Sequence, residues 1–167
     1  MARPLPDPEG LVEALAAQMR GKLAADAALV GIYSGGAWVA ERLHRALGIA
    51  TPLGFLAVTL HRDDFASIGL HREARRSLIP FPVDGREIVL VDDVLSTGRT
   101  LRAALNEIFD FGRPRAVRLA VLVDRGGREM PVAADFTGAA VQVGEEDELV
   151  LSNADGRLAL ATVKRAR

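Results

Sequence analysis

Ile88–Thr100 reads IVLVDDVLSTGRT, and this run decides the fold. Ile88 to Val91 are continuously apolar, the pattern of a strand buried on both faces of a sheet. Asp92 and Asp93 follow at what would be the carboxyl edge, where open α/β sheets bind their ligands. Ser96-Thr97-Gly98-Arg99-Thr100 then turns into a helix expected from about Gly98 to Phe111, stopped by Gly112 and Pro114. Such a turn offers backbone N–H groups, hydroxyls and the positive end of a helix dipole, all suited to a phosphate. The carboxylate pair repels a phosphate but accepts hydrogen bonds from two neighbouring hydroxyls, or helps hold Mg²⁺. Acceptors for a diol beside donors for a phosphate describe a ribose 5-phosphate. Adjacent aspartates after a strand also occur as plain helix caps, and serine, threonine and glycine are ordinary turn residues. The whole thirteen-residue run, rather than any pair within it, favours the ligand site. No Walker A loop and no G-x-G-x-x-G turn occurs.

Upstream, Asp7-Pro8 reads as a helix cap with proline at the first helical position, and Leu11, Leu15 and Met19, with Val12 and Ala16, form one apolar face. Ala27–Tyr33 reads as a buried strand, broken by Gly35-Gly36. Ala37–Leu47 is helical and ends at Gly48. Leu53–Leu60 is the next strand and runs into a long polar stretch, HRDDFASIGLHREARR, closed by Pro80, Pro82 and Asp84-Gly85. Loops of this length in compact domains are more often functional than ordinary. Glu87–Val91 and Ala116–Val123 are apolar strands. Beyond Pro131 short strands are expected at Ala140–Val143, Glu148–Leu151 and Leu158–Val163, with a hairpin turn at Asn153–Gly156. The alternation calls for one α/β domain over residues 1–167, a mainly parallel sheet flanked by helices with right-handed crossovers. A small antiparallel β-rich C-terminal part is expected to add an edge to that sheet.

Of the 167 residues, 49% are hydrophobic and 26% charged, which suits a globular interior and argues against disorder. The net charge of −1 is less basic than that of a protein that blankets phosphate backbones, although a local basic patch is compatible with it. Cysteine is absent, which excludes disulfides and thiolate metal sites. Scattered His, Asp and Glu give no metal-ligand spacing, so no metal held by side chains alone is expected. His44 lies within a helix and reads as a surface residue. The N-terminus carries no secretory pattern, and no apolar run reaches the roughly 18–20 residues of a membrane span. A soluble cytoplasmic protein is expected. Apolar surface left by a small sheet points to a homodimer or larger homo-oligomer.

TLHRDDF at Thr59–Phe65, VLVDDVLSTGRT, FGRPRAVRLAVLVDRGGREMP and ADFTG at Ala134–Gly138 together resemble the PyrR family, within the type I phosphoribosyltransferases. The match spans about residues 28 to 140. The family comprises bacterial pyrimidine-operon attenuation proteins that also act as uracil phosphoribosyltransferases. The resemblance implies that Asp92 and Asp93 hold the ribose hydroxyls of phosphoribosyl pyrophosphate (PRPP) and that Ser96, Thr97, Gly98, Arg99 and Thr100 bind its 5-phosphate. It makes Ser34-Gly35-Gly36 the pyrophosphate loop, and the stretch from Arg62 to Arg76 a mobile lid in which Arg62 reaches the pyrophosphate and Asp63-Asp64 shape the loop. Asp124-Arg125-Gly126 becomes the base side, with Arg125 lining a uracil pocket. Pairing of Arg125 to a neighbouring carboxylate is the rival reading. PRPP with Mg²⁺ and uracil are the implied substrates, UMP or UTP the effectors, and pyr leader mRNA a partner.

The chain also departs from the family pattern. Gly35 stands where a basic residue is common, Ser96 where tyrosine is common, and Gly127 where histidine is common. The usual serine-, threonine- and lysine-rich segment after Gly138 is replaced by AAVQVGEEDELV, whose acidic run Glu145–Glu148 reads as a solvated turn that repels RNA. Three functions are therefore weighed: a uracil phosphoribosyltransferase, a nucleotide-sensing RNA-binding attenuator with weak or no transfer, and a transferase for another base. A basic RNA face would draw on Arg72, Arg75, Arg76, Arg113, Arg115, Arg118 and Arg128.

Overall fold

A computed structural model describes residues 3–58 and 75–166 of the chain. Thr59–Phe65, Arg62, Asp63, Asp64, Arg72 and most of the expected lid lie outside the described residues. The order of elements is α1 (Pro8–Met19), β1 (Ala28–Ile32), α2 (Gly35–Leu47), β2 (Gly54–Leu56), β3 (Glu87–Leu95), α3 (Arg99–Phe109), β4 (Ala116–Asp124), β5 (Phe136–Ala140), β6 (Asp147–Ala154) and β7 (Arg157–Lys164).

Helix α1 starts as its sequence requires. The Asp7 carboxylate accepts from the Gly10 amide at 3.1 Å, and proline occupies a position whose N–H has no intrahelical partner. Helix α2 ends at Gly48, which adopts the left-handed conformation at φ 61°.

Strands β1 to β5 form one parallel sheet in the order β2-β1-β3-β4-β5. Because side chains alternate across a strand, the sheet divides two cores. Leu29 of β1 and Val89 and Val91 of β3 meet α1, α2 and the C-terminal hairpin on one face. Ala28, Val30, Ile32, Ile88 and Leu90 meet Leu101, Ala104 and Ile108 of α3 on the other. Leu15, Leu29, Leu43, Leu90 and Ile108 are fully buried, each contributing roughly 1.5–3 kcal/mol relative to exposure.

Several elements differ from the sequence reading, beginning with β2, which covers Gly54–Leu56 of the expected Leu53–Leu60, whose last two residues lie outside the described ones. β3 runs four residues past Val91, because Val94 and Leu95 pair with Val123 and Asp124 of β4, so both aspartates lie within the strand. The first strand after Pro131 is Phe136–Ala140 rather than Ala140–Val143, and it joins the main sheet parallel to β4, with Phe136 buried beneath α1. The antiparallel part does not extend that sheet: β6 and β7 form a separate two-stranded one. Its turn residues Asp155 and Gly156 have φ 53° and 77°, as a two-residue hairpin loop with the right twist needs. The hairpin docks through Leu149, Leu151 and Leu158 and through two polar pins. Glu9 accepts from the Leu158 amide at 3.1 Å, and Arg42 donates to the Gly156 carbonyl at 2.8 Å. Glu9 and Arg42 also pair with each other.

Candidate functional site

The strand order reverses between β1 and β3. The chain leaves β1 through α2 toward one edge and leaves β3 through α3 toward the other, so a crevice opens at the carboxyl ends of these two neighbours. The Ser34–Gly36 turn lies on one side of that crevice and the Ser96–Thr100 turn on the other.

Alternation within β3 sends the Asp93 side chain toward the start of α2 and leaves Asp92 between the two helix starts, its Oδ1 3.2 Å from where a Cβ on Gly36 would stand. Asp92 lines a cleft of about 60 Å³ with Ser96, Thr97, Gly98 and Thr100. Asp93 lies on the α2 side: a Cβ built on Gly35 would fall on its carboxylate, 2.6 Å from Cγ. A Cβ on Gly36 would collide with the Val91 carbonyl and sit 3.0 Å from the Asp92 Cα. The two glycines therefore exist to let α2 begin directly against the aspartates. For the same reason α2 starts at Gly35, two residues before the start expected from sequence. A basic side chain at position 35 would require Asp93 to rotate away, which accounts physically for the pairing of Gly35 with this Asp93 conformation.

The second turn is built around Gly98, whose φ of 89° is accessible at little cost to glycine alone, and whose missing Cβ would meet Val132 Cγ2 at 2.5 Å. Helix α3 begins at Arg99, and its first-turn amides have no intrahelical carbonyls to pair with. Thr97 Oγ1 accepts from the Arg99 amide at 3.2 Å, so this hydroxyl shapes the turn.

Residues 125–132 clamp the same turn from outside. The Arg125 amide donates to Leu95 O at 2.8 Å, Ser96 Oγ to Gly126 O at 3.2 Å, and the Glu129 and Met130 amides to Thr97 O at 2.9 and 3.0 Å. Arg128 is the centre of this clamp. It donates to both Asp124 oxygens at 3.0 and 2.6 Å, to Ser96 O at 2.9 Å and to Val132 O at 2.9 Å. These Arg128 bonds hold the Asp124 carboxyl below the usual carboxylate range. Partial burial opposes them and the Gly126 amide assists. Arg99 projects outward to Glu129 at 2.7 Å.

The site residues expected from sequence thus come together, with exceptions. Arg62 lies outside the described residues. Arg125 is half-buried beside the clamp, but its rival reading fails among the described residues, because the nearby Asp124 carboxylate is taken by Arg128. His44 is half-buried rather than on the surface, with Nε2 at 2.7 Å from Thr51 O. The sequence does not single out Arg128 as part of the site. Its signal is the four-residue spacing of Asp124 and Arg128 past a strand end, which reads equally well as a solvated loop. Nor do Arg113, Arg115, Arg118 and Arg128 make one basic face. Arg115 and Arg118 sit at the amino edge of β4, bound to Asp26 and to Lys22 O, away from the crevice, while Arg128 points inward.

Among the described residues no three His, Asp or Glu could hold a metal together, and no helix is long and apolar enough to cross a membrane. Two adjacent carboxylates are an oxygen donor set of the kind Mg²⁺ uses when it keeps its waters and shares a phosphate ligand.

Comparison with known proteins agrees with this geometry. Residues 6–148 match the phosphoribosyl transferase domain family. The chain is 51% identical over 149 residues to bifunctional protein PyrR of Ralstonia nicotianae, covering 87% of this chain and 85% of that protein. It is 49% identical over 148 residues to the protein of the same name from Nitrosococcus oceani, covering 87% and 81%. A hypoxanthine-guanine phosphoribosyltransferase from Bacillus anthracis superposes with a TM-score of 0.66 over 84% of this chain and 85% of its own, at 18% identity, a likeness of fold alone. A crevice with two carboxylates set between two helix starts, and relatives this similar over most of their length, lead to one conclusion: the chain is a phosphoribosyltransferase and belongs to the PyrR family.

Proposed function

We propose that this chain transfers the 5-phosphoribosyl group of PRPP to N1 of uracil, releasing UMP and pyrophosphate, and that the same nucleotide site serves pyrimidine gene regulation through pyr leader mRNA, with UMP or UTP as effectors. The observation that carries the transferase reading is the placement of the β3 aspartates between two helix starts: Asp93 stands against Gly35 of α2, and Asp92 lines the α3 turn while its Oδ1 also lies beside Gly36. The α3 turn binds the 5-phosphate through Ser96, Thr97, Gly98, Arg99 and Thr100. Asp92 and Asp93 accept hydrogen bonds from the ribose hydroxyls. The Ser34–Gly36 amides receive the pyrophosphate. As the bond from C1 to pyrophosphate breaks, the sugar gains oxocarbenium character, and the two carboxylates lie beside that developing positive charge. No nucleophilic side chain is required, because uracil N1 forms the new bond to C1 as it loses its proton. Asp92 and Asp93 are the residues that would hold Mg²⁺ together with PRPP, and the ion would supply charge neutralisation for the leaving pyrophosphate. Arg125, half-buried at the end of β4, lines the uracil pocket. The active form is a cytoplasmic homodimer or larger homo-oligomer.

The test is an assay of labelled uracil with PRPP and Mg²⁺, run beside hypoxanthine, guanine and orotate. UMP as the dominant product is expected. Tight UMP-dependent binding to leader RNA without UMP synthesis would replace the enzyme by the attenuator, and preference for another base would move the acceptor. Asp92→Asn is expected to raise the KM for PRPP and lower turnover by about tenfold or more, since a charge-assisted hydrogen bond is lost. Unchanged constants would remove the role given to Asp92.

A further inference from the structure

The Ser34–Gly36 turn carries no charged side chain, and it rests on the carboxylates of Asp92 and Asp93. A pyrophosphate in that turn meets amides in front and negative charge behind, and a side-chain cation close by would add to the neutralisation that Mg²⁺ would supply. The arginines of the clamp are already neutralised: Arg128 pairs with Asp124 and Arg99 with Glu129. One residue before the turn is Tyr33, half-buried and held by its amide to Leu56 O at 3.0 Å. Its ring stacks on Phe55 of β2 with centroids 5.2 Å apart and planes 15° from parallel. The guanidinium carbon of Arg75 lies 4.9 Å from the centre of the same ring. Arg75 is exposed, and among the described residues it belongs to none of the ion pairs.

We propose that Arg75, held over Tyr33, is the fixed cation of the pyrophosphate turn and pairs with the pyrophosphate group of PRPP and with the released product. The inference rests on the transferase reading above. A guanidinium over an aromatic ring keeps its charge and directs its N–H edge outward in the ring-parallel plane, where it can fork onto two oxygens of one phosphate. Tyr33 directly precedes Ser34, so the ring that carries the Arg75 charge belongs to the residue next to the turn. Tyr33 is then a positioning residue: its ring, braced by Phe55, sets where the cation stands.

Titration calorimetry on the full chain with Mg²⁺ present tests this using two probes, pyrophosphate and ribose 5-phosphate. Arg75→Gln is expected to weaken pyrophosphate at least about tenfold, as loss of a charged hydrogen bond does, and to leave ribose 5-phosphate unchanged. Tyr33→Leu should reproduce that selective loss, whereas Tyr33→Phe, which keeps the ring, should retain wild-type pyrophosphate affinity. Equal weakening of both probes, or of neither, overturns the assignment, as does a Tyr33→Leu protein that binds pyrophosphate normally. If the wild-type chain binds both probes but joins no base to PRPP, the transferase reading fails separately, and the titrations still decide the role of Arg75.

Discussion

Gly35 and Gly36 are adjacent and chemically identical, yet they face different obstacles. A methyl group on Gly36 would run into the Val91 carbonyl and the Asp92 Cα, backbone atoms that cannot move without shifting β3. A methyl group on Gly35 would run into the Asp93 carboxylate, the far end of a side chain that can rotate, and would sit 3.0 Å from the Asp93 Cβ, a tight contact that leaves less to shift than at Gly36. Gly36→Ala is therefore expected to cost about 1–3 kcal/mol of stability, as overpacking does, and Gly35→Ala less than about 1 kcal/mol. The second variant should instead change the KM for PRPP, because Asp93 has to leave its place. Thermal melts of the two proteins beside PRPP kinetics check this; equal loss of stability would show that Asp93 is as immovable as the strand backbone.

The connection from β4 to β5 behaves as part of the Ser96–Thr100 turn. Arg128 ties Asp124, Ser96 and Val132 into one unit, and Arg128→Ala is expected to destabilise the protein by about 1–3 kcal/mol and to raise the KM for PRPP. Hydrogen exchange should quicken at the Glu129 and Met130 amides, which are pinned to Thr97 O. Asp124 gives the same unit a pH dependence. Its folded-state pKa is depressed, so its contribution to stability is present above the ordinary Asp value of about 3.9 and is lost as pH falls through the lower folded value. Melting temperature followed from about pH 6 to about pH 3 should therefore fall less steeply in Asp124→Asn than in the wild type. Parallel curves would remove Asp124 from the acid response. This clamp was also the least legible part of the sequence. The β3–α3 element and the α1 cap could be read because each is decided within about a dozen residues by period, proline and glycine. Which arginine neutralises Asp124, how far β3 extends and where β5 begins depend on partners supplied from distant chain: Ser96 O for Arg128, Val123 and Asp124 for the end of β3, and α1 for Phe136.

Across the whole molecule, the strand order 2-1-3-4-5 accounts for the position of the site, and composition said nothing about it. Alternation of strand and helix implied a parallel sheet, but only the order of its strands makes β1 and β3 neighbours and brings two turns sixty residues apart in sequence to one crevice. The same order sorts the helices, α2 to one core and α3 to the other, with the sheet as the wall between them. A ligand gripped by the first turns of both helices works as a rivet through that wall. Each layer can loosen by itself while the rivet is missing, and neither can loosen without losing the ligand once it is in place. Nucleotide should thus do more than add the roughly 2.7 kcal/mol that mass action supplies at a hundred times its Kd. It should also draw the exchange of α2 and α3 amides toward a single shared opening free energy, turning a two-layered protein into one cooperative unit.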